Sequence, residues 1–140
     1  MEDNFNDFSL VEESHFKYGT IKSYRDLIVW QKSMELVKEI YVLTNEMPDS
    51  EKFGLTSQIR RASVSIPSNI AEGWGRNSKG SYLNHLKIAN GSCCETETQL
   101  QLIENLRFLE ITKIENTKKL LDECGKMLRS MILKLESQNN

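Results

Sequence analysis

The last of four periodic stretches limits the fold most. Between residues 112 and 136, Ile114, Thr117, Leu121, Cys124, Leu128, Met131 and Leu135 follow one another at alternating spacings of three and four. An α-helix at 3.6 residues per turn gathers such positions on one side, whereas a strand needs every second residue. A helix with a single apolar stripe draws most of its stability from packing that stripe against neighbours. The rest of the chain has to supply those neighbours.

Three earlier stretches share the period. Residues 24–45 carry Leu27, Trp30, Met34, Val37, Tyr41 and Thr44 as a seam, with Ser23 or Asp26 as the cap. Ile28, Val29, Leu36, Ile40 and Leu43 lie beside that seam and imply a second buried face. Residues 51–72 place Leu55, Ile59, Ala62, Ile66 and Ile70 on one side after the break at Met47-Pro48-Asp49-Ser50. A third stretch, capped by Asn77 or Ser78 and reaching Phe108, holds Tyr82, Leu86, Ala89, Cys93, Thr96, Leu100 and Ile103. Four long helices with short connections predict an all-α, antiparallel, up-down-up-down four-helix bundle over residues 21–140.

Size and composition agree with one such domain. A chain of 140 residues buries roughly two-thirds of its unfolded surface in a single core and needs no disulfide. The three cysteines, Cys93, Cys94 and Cys124, contain no CxxC pair and read as buried thiols. No apolar run is long enough for a membrane span, and the acidic start is unlike a secretory signal, so the expected location is the cytoplasm. Residues 1–20 set Glu2, Asp3, Asp7, Glu12 and Glu13 against Lys17 and show no sustained period; a flexible acidic tail is expected there.

The segment SVSIPSNIAEGWGR, residues 63–76, interrupts the second apolar face with polar groups and a proline. Pro67 has no N–H for the carbonyl of Ser63, and an interior proline costs a helix about 3 kcal/mol or more unless its geometry adapts. A kink at Pro67 is therefore expected, with Asn69 and Glu72 tying the bent end to Arg61, Arg76 or the third helix. Gly73 and Gly75 are read as the helix terminator. Glu72 and Glu95 read as carboxylates paired with Arg61, Arg76 or backbone amides, because an unpaired charge near a core costs several kcal/mol.

The runs DLIVWQKSMELVKEIY, EKFGLTSQIRRASVSIPSNIAEGWGR and IANGSCCETETQLQL together resemble the 23S ribosomal RNA intervening-sequence proteins, over about residues 24–135. The pattern carries onto Arg61, Pro67, Asn69, Glu72, Gly73, Arg76, Gly91, Ser92 and Glu95. The resemblance implies a small bacterial four-helix bundle that assembles as a homopentamer and has no enzymatic activity. A related bundle, the accessory variability determinant of diversity-generating retroelements, binds nucleic acid through a basic surface. The acidic extension before Tyr24 and the Cys93-Cys94 pair depart from the pattern.

Function is less legible than fold. His15 and His85 belong to no zinc or HExxH signature, and no phosphate-binding glycine loop is present. The chemistry on offer is therefore binding, with no cofactor or metal expected. Residues 52–94 hold Lys52, Arg60, Arg61, Arg76, Lys79 and Lys87 against Glu72 alone. One reading takes Arg60, Arg61, Arg76, Lys79 and Lys87 as a surface for RNA or a DNA–RNA hybrid, repeated around a homo-oligomer. Another makes Arg61 and Arg76 internal partners of acids and the lysines solubilising charges, leaving a protein-interaction scaffold. Trp30 is read as core, and Trp74 as packing over a helix end or a subunit boundary.

Overall fold

The computed structural model describes residues 21–138, and the acidic segment 1–20 lies outside them. Four helices carry the fold: α1 (Ile28–Thr44), α2 (Leu55–Gly75), α3 (Lys79–Asn105) and α4 (Ile111–Ser137). Each packs on its neighbours in sequence and α4 closes against α1, which is the expected up-down-up-down bundle; α2 and α3 share the most extensive contact.

The stripes of α3 and α4 are buried at every expected position. In α1 the expected seam is buried at its two ends, Leu27 and Thr44, and between them the buried stripe is rotated by one residue. Val29, Ser33, Leu36, Ile40 and Leu43 face the core, while Met34 and Tyr41 remain 45% and 42% exposed and Trp30 and Val37 are half-buried. Both stripes obey the same spacing. The inner one wins because it carries the branched aliphatics that pack flush, while the larger Trp30, Met34 and Tyr41 sit at its shoulder.

Helix boundaries also differ from expectation where side chains compete for backbone donors. Before α1, Ser23 and Asp26 act together in a single 3-10 turn over Tyr24–Asp26: Arg25 N donates to Ser23 Oγ, and Ser23 N donates to Asp26 Oδ2. A second 3-10 turn, Asp49–Glu51, delays α2 until Leu55, whose N–H donates to Glu51 Oε2 at 3.0 Å.

Gly73 is not a terminator. It is buried inside α2, and a Cβ there would lie 2.6 Å from the Cβ of His85, so its missing side chain sets how closely α2 approaches α3. The left-handed residue that ends α2 is Asn77, at φ 53°. Ser78 then caps α3 by accepting from Ser81 N. At the far end of α3, Arg107 takes φ 59° and Phe108 N donates back to Ile103 O, the Schellman closure built on a residue other than glycine.

Pro67 is buried within α2, which continues through it. The polar residues around it form a link to α3. Asn69 Nδ2 donates to Ser65 O at 2.8 Å and to Ser65 Oγ at 2.9 Å, and Ser92 Oγ donates across the helix pair to Ser65 Oγ at 2.9 Å. Ser63 turns back on its own helix, donating to Arg60 O. Cys93 and Cys124 are buried as expected; Cys94 instead faces solvent.

Candidate nucleic-acid interface

The five cations that the sequence marks as a phosphate surface do not form one patch. Arg60 and Arg61 lie near the start of α2, Arg76 caps its end, and Lys79 opens α3. At 1.5 Å of rise per residue, Arg60 and Arg76 stand about 24 Å apart along the helix.

At the C-terminal end of α2 the charge of Arg76 is compensated. Arg76 donates to Glu72 Oε1 at 2.9 Å, and His85 Nε2 lies 3.7 Å from the same oxygen. The Arg76 hydrogen bond, with His85 beside it, holds the Glu72 carboxyl below the usual glutamate range. His85 is anchored through Nδ1, 2.8 Å from the Ser81 carbonyl. Lys87 reaches across to Glu136 at 3.1 Å. Trp74 packs edge-on against Tyr82 in the first turn of α3, which places it over a helix end. Glu72 pairs with Arg76 as expected, but Glu72 and Glu95 are both exposed and Arg61 pairs with neither; the only side-chain partner of Glu95 among the described residues is Gln99, at 3.4 Å. Their charges sit in water and do not need the partners that burial would demand.

At the other end the charges are uncompensated. A shallow groove of about 450 Å³ is lined by Tyr41, Lys52, Phe53, Ser57, Arg60, Arg61 and Val64, with three cations and no acid. Arg60 is fixed in it: Nε donates to Thr44 Oγ1 at 2.8 Å, one terminal nitrogen donates to Asn45 Oδ1 at 3.1 Å, and the guanidinium stands 4.6 Å from the Tyr41 ring centroid. Thr44 Oγ1 in turn donates to Ile40 O at 2.6 Å, so α1 holds Arg60 through a buried hydroxyl. Arg61 is exposed and makes no hydrogen bond or ion pair among the described residues. Lys52 Nζ lies 5.7 Å from the Phe53 centroid, and Phe53 is 90% exposed.

Two other recesses differ in charge. The groove between α1 and α4, about 530 Å³, sets Glu35, Glu39 and Glu46 against Lys38 and Lys113. The recess of about 390 Å³ between α3 and α4 mixes Glu97 and Asp122 with Lys118 and Arg129. Of the three, only the Arg60–Arg61 groove is lined by charges of one sign, the arrangement that favours a polyanion.

Sequence reasoning missed Tyr41, Lys52 and Phe53 as parts of a site. The signal for the last two was local: a lysine and an aromatic side by side in a proline-glycine connection, where folding has no use for a large apolar side chain. No group of three or more His, Cys, Asp or Glu suited to a metal occurs among the described residues, and no described helix is long and apolar enough to cross a membrane.

A family model described as 23S rRNA-intervening sequence protein matches residues 25–130. Among solved structures, the chain is similar to a protein of unknown function from the S23 ribosomal protein family of Bacteroides thetaiotaomicron VPI-5482. The two share 29% identity and a TM-score of 0.68, over 75% of this chain and 98% of that one. No curated protein matches.

Proposed function

The chain belongs to the 23S rRNA-intervening sequence protein family, and from that premise we propose that it is a non-enzymatic, nucleic-acid-binding bundle whose contact surface is the groove at Lys52, Arg60 and Arg61. One observation carries the reading: three cations line that groove with no acid among them. The family's description makes RNA the polyanion to test first. Of the cations first marked, Arg76 and Lys87 are spent on Glu72 and Glu136, so their part in binding is smaller.

Binding of this kind works by counterion release. Three phosphates neutralised on a single strand give a slope of about −2 in log affinity against log salt. Fluorescence anisotropy of labelled RNA at low and moderate salt tests the reading. Salt-dependent binding that Arg61→Glu abolishes supports it; no binding even at low salt removes it.

The exposed shoulder of α1 favours a second role, self-association. Trp30, Met34 and Val37 recur at spacings of four and three and leave a partly exposed apolar strip beside the groove. A homo-oligomer, the homopentamer that the family resemblance implies, would cover it and multiply the groove. A monomer by light scattering defeats this part. Removing residues 1–20 separates RNA binding from a pure scaffold role. Loss of five acids against one lysine strengthens RNA binding in the first case, and abolishes capture of a protein partner in the second.

A further inference from the structure

We infer that the groove takes an unpaired stretch of RNA, with one base stacked on Phe53; this rests on the reading of the groove as a phosphate site. A single exposed aromatic is common on protein surfaces and means nothing alone. Its company here is what matters. Phe53 borders a groove with three cations and is 90% exposed, while Leu55, two residues on, packs against the core. The fold therefore gains little from an aromatic side chain at this position.

Stacking platforms interleaved with cations are how proteins hold single strands: phosphates meet Lys and Arg, and base faces meet aromatic rings. A duplex cannot use such a platform, because its bases already stack on one another and the major groove of A-form RNA is closed to side chains. The two rings of the groove are not equivalent. Arg60 is fixed by hydrogen bonds with its guanidinium over Tyr41, so that ring already has a stacked partner. Phe53 meets only the Lys52 ammonium among the described residues, at 5.7 Å from the ring centroid against 4.6 Å for Arg60 over Tyr41, and Lys52 has no hydrogen bond to hold it there, so a phosphate can draw it aside.

The test compares one RNA sequence as a single strand and as a blunt duplex, using the full chain and the variants Phe53→Ala, Phe53→Trp and Arg61→Glu. The expected result is preference for the single strand, about a tenfold loss with Phe53→Ala on that strand alone, and retention with Phe53→Trp. Because Phe53 is so exposed, Phe53→Ala melts like the parent chain. Equal binding of strand and duplex, or no loss with Phe53→Ala while Arg61→Glu still abolishes binding, overturns the stacking inference and leaves the groove standing. Absence of binding to either RNA overturns the groove reading and this inference with it.

Discussion

The guanidinium of Arg60 lies 4.6 Å above the Tyr41 ring while its Nε donates to Thr44 Oγ1, so a cation on α2 is held by two positions one helical turn apart on α1. That arrangement joins the helices and positions a charge in the groove with the same side chain. Arg60→Ala is expected to destabilise the bundle by about 1–3 kcal/mol, from the lost hydrogen bonds and the uncovered ring. Arg60→Lys recovers little of this, because an ammonium cannot reproduce the planar fork. Thermal melting of both variants checks the pair; full recovery by lysine contradicts it.

Gly73 and Gly75 stand two residues apart in one helix and are expected to respond oppositely to alanine. At Gly73 a Cβ meets the Cβ of His85 at 2.6 Å, so α2 and α3 have to separate, at a cost of about 1–3 kcal/mol. At Gly75 nothing lies within 4 Å, and alanine raises helix propensity by up to about 1 kcal/mol. Chemical denaturation of the two variants gives the signs directly.

Burial pushes the Cys93 and Cys124 thiols up to about 12. In the folded protein at pH 8 a thiol reagent is expected to modify Cys94 alone quickly, and all three cysteines only after denaturation. The same shifts predict an alkaline limit. An unfolded chain releases these protons near pH 9, the folded one only near 12, so stability is complete below about 9 and falls as pH rises through that window. Melting temperatures measured from pH 8 to 11 are expected to decline, and to decline less in Cys93→Ala after allowance for its cavity.

Most of the fold was legible because α3 and α4 carry single, uninterrupted stripes. In α1 two stripes of equal period compete, and spacing alone does not say which one packs; residue shape does. Gly73 misled because glycine near a helix end usually marks a stop, whereas here it marks close approach to His85. The site was half legible. Net charge along the chain pointed to the segment that holds the groove's cations, but which cations remain uncompensated depends on tertiary partners such as Glu136 for Lys87, and those lie far away in sequence.

Ultraviolet cross-linking of bound RNA, read out by peptide mass spectrometry, tests the central claim most directly. Cross-links are predicted on the peptides carrying Tyr41, Phe53 and Arg61. Cross-links confined to the Trp74–Arg76 end of α2, where Arg76 stands about 24 Å from Arg60 by helix rise, would contradict it.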